Sequence, residues 1–136
     1  MIVNDMRLLG IDYGSKKVGI AISDDKGLMA FPKAVLPNDN FLMTEVKALI
    51  KGHDVSLVVL GESKDYKMKE NLIMSKVHAF KRELETDTGV EVIYEPELLS
   101  SHQAAHFQGK TDMIDASAAS IILQSYIDRY NNHDFN

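Results

Sequence analysis

Residues 7–25 read RLLGIDYGSKKVGIAISDD, and this stretch decides the fold. Arg7 to Asp12 is predicted to form a strand with apolar residues on both faces, which is typical of a strand in the middle of a sheet. Val18 to Ser23 predicts a second strand, joined to the first by a short turn. A carboxylate at the end of a buried strand is costly unless it is paired or binds a cation, so Asp12 is the first candidate functional residue.

The rest of the sequence predicts three more strands and four helices. The order β-β-β-α-β-α-β-α-α predicts a mixed five-stranded sheet flanked by helices, in which three antiparallel strands come first. This α/β architecture is the RNase H-like arrangement, and we expect one domain over residues 1–136. Asn38 is expected to cap the first helix. The predicted strands are Leu28 to Val35, Val55 to Leu60 and Val90 to Tyr94; the predicted helices run from Asn38 to Gly52, through Ile73 to Leu84, from Ser100 or Ser101 to Gly109, and from Asp112 to Tyr130.

The composition is that of an ordinary globular protein. The chain has 136 residues, of which 45% are hydrophobic and 26% charged, and it has no cysteine. The sequence contains no apolar run of about 18 residues, so it predicts no membrane span. Polar residues interrupt the N-terminus where a secretory signal needs an apolar core. We therefore expect a cytoplasmic protein with no membrane partner. The net charge of −5 argues against a protein that coats nucleic acid by bulk electrostatics, but not against a nuclease whose carboxylates bind metal ions.

Three other acidic residues occupy positions where a site could form. Asp115 falls in the first turn of the last helix, on the stripe that is predicted to face inward. Glu95 and Glu97 follow the fifth strand, at the end of the sheet where α/β proteins bind ligands. Each position also has a simpler explanation, because aspartate favours helix starts and acidic turns are common. Carboxylates that converge need cations, and their hard oxygen atoms select Mg²⁺ or Mn²⁺, which can activate water for phosphodiester cleavage.

Three segments carry a resemblance to a known family. GIDYGSKKVGIAISD at residues 10–24, with Ala30-Phe31-Pro32 beyond it, resembles the opening of the YqgF family. These are Holliday-junction-resolvase-like proteins that are also described as pre-16S rRNA nucleases. ELLSSHQAA at residues 97–105 and IDASAASIILQSYID at residues 114–128 resemble the later motifs of the same family. The resemblance covers nearly the whole chain, and its first and last motifs are the specific ones.

The resemblance implies a metal-dependent nuclease whose Mg²⁺ or Mn²⁺ ions are held by three catalytic acids, namely Asp12, Glu97 and Asp115. The residues alone point to the same positions, but only the resemblance ranks Glu97 above Glu95.

The chain departs from the family pattern beside the second of these acids. The Asp-Glu-Arg motif of the family reads Pro96-Glu97-Leu98 here, so one carboxylate and one guanidinium are missing. The guanidinium of arginine can bind a phosphate through two N–H groups at once, and leucine cannot do so. The loss of this arginine affects how a substrate phosphate would be positioned. Glu95 could restore the lost negative charge. Glu62 is a reserve ligand, because related RuvC resolvases have a glutamate near the end of the corresponding strand.

The turn after Asp12 contains the candidate substrate-binding residues. Gly14 allows close approach of a phosphate or of a following turn to the backbone. Ser15 lies beside it, and Lys16 and Lys17 follow within five residues of Asp12, so they could contact substrate phosphates. These four positions are weaker candidates than the three acids.

Several functions are compatible with these patterns. The first is a nuclease that acts on structured RNA, in 5′-end processing of pre-16S rRNA; the second is a resolvase-like endonuclease that acts on branched DNA. The third is a non-catalytic nucleic-acid-binding module that kept the fold. An ATPase of the actin or sugar-kinase type fits poorly, because such a protein binds its nucleotide between two lobes of this fold and 136 residues supply only one lobe. The chain is expected to be a monomer or a homodimer.

Overall fold

The computed structural model describes residues 6–62, 68–96 and 114–134, and within these ranges it describes all side chains except those of residues 68–72, 114–115 and 132–134. The described residues form five strands and three long helices. The strands are β1 (Arg7–Tyr13), β2 (Lys17–Ser23), β3 (Ala30–Pro37), β4 (Val55–Glu62) and β5 (Glu91–Pro96), and the helices are α1 (Leu42–Gly52), α2 (Met68–Thr88) and α3 (Ile114–Asp134).

The strands form one mixed sheet in the order β3-β2-β1-β4-β5. β1, β2 and β3 pair antiparallel as a meander, whereas β4 pairs parallel to β1 and β5 parallel to β4. The predicted mixed five-stranded RNase H-like sheet is therefore confirmed, and β1 is its central strand. Because β1, β4 and β5 are parallel, their carboxyl ends meet at the same edge of the sheet.

Helices cover both faces of the sheet and enclose two apolar cores. On one face, Leu9 and Ile11 of β1 pack with Val58 and Leu60 of β4 beneath α1 and α2. On the other face, the alternate residues of the same strands pack beneath α3, with small and aliphatic side chains of that helix against them. Two apolar faces on β1 and β4 explain why both strands have nearly continuous hydrophobic sequences.

Helix α3 lies very close to β1. A Cβ atom added at Gly10 would be 2.8 Å from Leu123 Cβ and 2.9 Å from the carbonyl oxygen of Ala119. Ala116 and Ala119 are fully buried, so α3 presents small side chains on the part that approaches the sheet. The contact fixes α3 against the strand that carries Asp12.

The predicted elements agree with the structure except at their ends. β3 is shifted by two residues toward the C-terminus, and β5 extends to Pro96 rather than ending at Tyr94. α3 (Ile114–Asp134) continues four residues beyond the predicted end at Tyr130, and its predicted start at Asp112 lies outside the described residues. The helix predicted from Ser100 or Ser101 to Gly109 lies outside the described residues.

The predicted cap at Asn38 is wrong. α1 begins at Leu42 with Phe41 at the N-cap position and no side-chain cap hydrogen bond. The Asn38 side chain instead donates to the carbonyl oxygen of Gly14, 2.8 Å away. Asp39 forms the turn before the helix, because its Oδ1 accepts from the backbone N–H of Phe41 at 2.9 Å.

In the parts of the chain that the structure describes, none of the helices combines the length and the apolar character that crossing a membrane requires.

Candidate active site

Asp12 lies near the carboxyl end of the central strand. It is the penultimate residue of β1, directly opposite Gly19 of β2, and it is partly buried. Side chains alternate along a strand, so Asp12 is on the same face as Gly10, the face that α3 covers. The structure thus places the first predicted acid at the edge where the parallel strands end, beside the last helix.

The turn after Asp12 is held in one conformation by hydrogen bonds. The backbone N–H of Gly14 donates to the carbonyl oxygen of Lys17 at 3.0 Å, and a Cβ atom at Gly14 would lie only 2.5 Å from that oxygen. Asn38 donates from its side chain to Gly14 and from its backbone N–H to the carbonyl oxygen of Lys16 at 2.9 Å. The glycine is required by this close approach.

The other three substrate-binding candidates are accessible on this turn. Ser15, Lys16 and Lys17 are all exposed, and Lys17 is the first residue of β2. Their position directly after the strand that ends near Asp12 leaves them available to a substrate.

Asp115 belongs to the first turn of α3, which begins at Ile114. Its side chain lies outside the described part of the structure. On the helix it precedes Ala119 by one turn, and Ala119 is the residue whose carbonyl approaches Gly10. Glu97 lies outside the described residues, immediately after Pro96, the last residue of β5.

Glu95 has its own partners in the structure. Its side chain is 2% exposed, its Oε1 accepts from Arg129 Nη2 at 2.5 Å, and its Oε2 accepts from Ser125 Oγ at 3.0 Å. Both partners are on α3. The carboxylate that could have restored the lost negative charge therefore lies in an ion pair, with a hydrogen-bond donor on each oxygen.

Glu62, the reserve ligand, lies on the opposite face of the sheet from Asp12. It follows Leu60 by two residues, and Leu60 belongs to the core under α1 and α2. The nearby Tyr94 belongs to that same side, and its pKa is raised first by burial and then by the negative charge of Glu62. This placement argues against Glu62 as a partner of Asp12.

The carboxylates proposed for the site have the right chemistry for a hard divalent cation. Three carboxylates supply the oxygen ligands that Mg²⁺ and Mn²⁺ prefer. Among the side chains that the structure describes, no three histidine, aspartate or glutamate residues lie close enough to hold a metal ion. Two of the three predicted ligands, Glu97 and Asp115, are outside that set.

The sequence patterns did not identify three residues that organise this region: Asn38, Ser125 and Arg129. Asn38 donates a hydrogen bond to Gly14, 24 residues away in the sequence. Ser125 and Arg129 donate to Glu95, which is 30 and 34 residues away from them. The one available signal was the four-residue spacing of Ser125 and Arg129, which places both on one side of a helix.

Comparison with known proteins agrees with this architecture. The family model described as "RuvX: Holliday junction resolvase" matches residues 6–129. A protein of Syntrophus aciditrophicus (strain SB), named "Putative pre-16S rRNA nuclease", is 32% identical over 90% of this chain and 89% of its own length. A protein of the same name from Streptococcus uberis (strain ATCC BAA-854 / 0140J) is 32% identical over 91% of this chain and 99% of its own.

Solved structures share the fold at low sequence identity. Thermus thermophilus RuvC in complex with a Holliday junction substrate superposes with a TM-score of 0.66 and 14% identity, covering 93% of this chain and 96% of that one. The fowlpox virus resolvase in complex with Holliday junction DNA gives a TM-score of 0.58, also at 14% identity, over 92% and 99% of the two chains. The resemblance seen in the sequence motifs is confirmed by the family match. This chain belongs to the RuvX (YqgF) family, whose model carries the description Holliday junction resolvase.

Proposed function

We propose that this chain is a metal-dependent nuclease that hydrolyses phosphodiester bonds in structured nucleic acid, in the 5′-end processing of pre-16S rRNA during ribosome biogenesis. The observation that carries the proposal is the family match over residues 6–129, with relatives named for pre-16S rRNA cleavage that align along about nine-tenths of the chain. The position of Asp12 at the carboxyl end of the central strand supports it, because ligands of α/β sheets bind at that edge.

Asp12, Glu97 and Asp115 are the residues proposed to hold the metal ions and to act in catalysis. Mg²⁺ or Mn²⁺ bound there would supply an activated water and stabilise the leaving oxygen. Asp12 comes from the central strand of the sheet, where it pairs with Gly19 of β2. Asp115 comes from the helix that packs against the same strand, and Glu97 follows the end of β5.

The turn after β1 is proposed to bind the substrate. Lys16 and Lys17 are exposed there, and their positive charges suit phosphate groups. Gly14, Ser15 and the backbone of the turn lie beside them, and Asn38 holds the turn in place. These contacts would orient the phosphodiester backbone toward the acids.

A second candidate function is cleavage of branched DNA. The family description, Holliday junction resolvase, favours this function, because a Holliday junction is a four-way DNA junction. A resolvase must cut two strands, so this alternative requires a homodimer, whereas processing of an RNA end is compatible with a monomer.

A third alternative is a binding module without activity, which the missing Asp and Arg at Pro96 and Leu98 favour. Each of these functions is compatible with a cytoplasmic protein.

The test is cleavage of two labelled substrates by one protein preparation. Wild type is incubated with Mn²⁺ or Mg²⁺ and either a pre-16S rRNA 5′-leader or a four-way DNA junction. We expect the RNA to be cut by wild type and not by Asp12→Asn. Asp25→Asn is the matched control. Asp25 is an exposed aspartate in the turn after β2, at the end of β2 that lies away from Asp12.

The other results decide between the alternatives and test the role of Asp12. Cleavage of the junction alone would favour the resolvase alternative. Cleavage of neither substrate at protein excess, with either metal, would favour the binding module. Equal activity in wild type and Asp12→Asn would remove Asp12 from the mechanism.

A further inference from the structure

Glu95 is a buried carboxylate that the proposed reaction leaves without a role. It is 2% exposed and lies on the face of the sheet that α3 covers, the same face as Asp12. Both of its oxygen atoms accept hydrogen bonds from α3, one from Arg129 and one from Ser125. Burying a carboxylate without such partners would be strongly unfavourable, so the three side chains act as one unit.

The two charged members of this unit differ in exposure. The Arg129 side chain is 59% exposed, whereas the Glu95 side chain is 2% exposed. An exposed guanidinium that reaches down to a buried carboxylate gives a short, charge-assisted hydrogen bond. The positive charge of Arg129 balances the negative charge of Glu95, and each carboxylate oxygen of Glu95 has a donor.

The unit joins two elements that otherwise have little contact. β5 is an edge strand of the described sheet, paired only with β4. α3 packs chiefly against β1, β2 and β3 and touches β5 much less. The hydrogen bonds of Glu95 therefore connect the end of β5 directly to α3. The chain reaches Glu97 two residues after Glu95, and α3 carries Asp115 in its first turn.

We propose that Glu95, Ser125 and Arg129 form a clamp that sets the end of β5 relative to α3, and so positions two metal-binding acids with respect to each other. The inference rests on the proposed function, because it concerns the same site. Glu95 is then a positioning residue and not a ligand. The clamp fixes α3 relative to β5, as the close contact at Gly10 fixes α3 relative to β1.

The key variant is the double substitution Glu95→Met with Arg129→Met. It removes both charges together and puts apolar side chains of similar length in their place, so no unpaired carboxylate stays buried. The first measurement is Mn²⁺ binding to the protein without substrate, by titration calorimetry or by the electron paramagnetic resonance of free Mn²⁺. The second is the Mn²⁺ concentration that gives half-maximal cleavage.

We expect the double variant to remain folded and to bind Mn²⁺ about 10-fold more weakly, the lower end of the effect of losing a group bonded directly to a metal ligand, because Glu95 acts through the end of β5. Cleavage at saturating Mn²⁺ should return toward the wild-type rate, because the ligands themselves are intact. Arg129→Lys should restore part of the Mn²⁺ affinity that Arg129→Met loses, since lysine keeps the charge but not the fork.

The matched control removes another ion pair between two elements. Lys47 Nζ on α1 and Asp87 Oδ2 on α2 lie 2.6 Å apart, on the two helices that cover the other face of the sheet. The variant Lys47→Met with Asp87→Met should bind Mn²⁺ as wild type does.

Three results would overturn the proposal. Wild-type Mn²⁺ affinity in a folded Glu95→Met, Arg129→Met protein would mean that the clamp has only a structural role. Stronger Mn²⁺ binding by Arg129→Met would mean that the released Glu95 is itself a ligand. If wild type bound no Mn²⁺ and cut neither substrate, the proposed function would fail and the clamp with it; in the first two results the proposed function stands.

Discussion

Gly10 on β1 and Leu123 on α3 are in contact at a distance that leaves no room for a side chain on the strand. A Cβ atom at Gly10 would lie 2.8 Å from Leu123 Cβ, and the Ala119 carbonyl oxygen is almost as near. Both neighbours belong to the helix framework and cannot rotate away as the end of a flexible side chain could. The separation of α3 from the central strand is therefore set by the absence of a side chain at residue 10.

Gly10→Ala should destabilise the protein and weaken catalysis together. Overpacking of a filled core commonly costs about 1–3 kcal/mol, and the strain can be relieved only by moving α3 away from β1. Because Asp12 and Asp115 lie on those two elements, we expect weaker Mn²⁺ binding as well as a lower urea midpoint.

Gly52→Ala is the control for this substitution. Nothing lies within 4 Å of a Cβ atom at Gly52, the last residue of α1. Alanine there should be neutral or stabilise by up to about 1 kcal/mol, since it restricts the unfolded chain. Wild-type stability in Gly10→Ala would show that α3 can move without cost and would contradict the close contact.

Neutralising the three proposed metal ligands should separate activity from stability. Asp12→Asn, Glu97→Gln and Asp115→Asn should each lower cleavage by at least about 100-fold, because even the loss of a residue that only supports a metal ligand costs about 10–100-fold. Without bound metal, each change should leave the thermal midpoint equal or raise it, as repulsion between like charges is relieved. Cleavage and melting curves without added metal are the measurements, and full activity in any variant would remove that residue from the mechanism.

Local sequence patterns were sufficient to predict most of the fold. The run Val55 to Leu60 is apolar without interruption, which is typical of a strand buried on both faces, and it forms most of β4 beside β1. The two apolar faces of Arg7 to Asp12 identified the central strand for the same reason. Turn residues after Ser23 gave the meander. In each case the information lies within about ten residues, the range over which hydrophobic periodicity acts.

Side-chain partners that are distant in sequence could not be predicted in this way. Asn38 is a good helix-capping residue by type, but its amide donates to Gly14 because a turn 24 residues earlier leaves that carbonyl nearby. Glu95 looks like part of a solvated acidic turn, yet it is buried because Ser125 and Arg129 come to it from α3. Only the assembled sheet and helix bring these groups together, so their roles had no local signature.

Replacing Lys16 and Lys17 by alanine should weaken substrate binding in a salt-dependent way. Each lysine that contacts a phosphate releases about one counterion, so the slope of log K against log salt should fall by about 1 for each lysine removed. The binding constant is measured with the inactive Asp12→Asn protein as background, which prevents cleavage during the titration.

Lys26→Ala is the control for the lysine variants. Lys26 is exposed in the turn between β2 and β3, at the end of β2 opposite to Lys17. Its removal changes the net charge by the same amount as one of the substitutions above. A salt slope that falls equally in Lys26→Ala would mean that the substrate responds to overall charge and not to the turn after β1.

The turn between β2 and β3 contains a carboxylate that should make stability depend on pH. Asp24 Oδ1 accepts from the backbone N–H groups of Leu28 at 2.7 Å and Met29 at 2.9 Å. Burial by itself would raise the pKa of Asp24, but the backbone hydrogen bonds outweigh it and hold the pKa below the ordinary value of 3.8. The charged form is therefore favoured in the folded state.

Asp24→Asn should be less stable than wild type at neutral pH, and the difference should shrink in acid. A folded-state pKa below the unfolded value gives stability that is present above about pH 4 and is lost as the pH falls through the folded pKa. Urea unfolding from about pH 6 to about pH 2.5 measures this difference directly. Asp25→Asn removes the same charge from the neighbouring residue, so it accounts for the general effect of charge at this end of the molecule. If the stabilities of Asp24→Asn and wild type differed by a constant amount over that range, the pKa of Asp24 would not be lowered by folding, which would contradict this prediction.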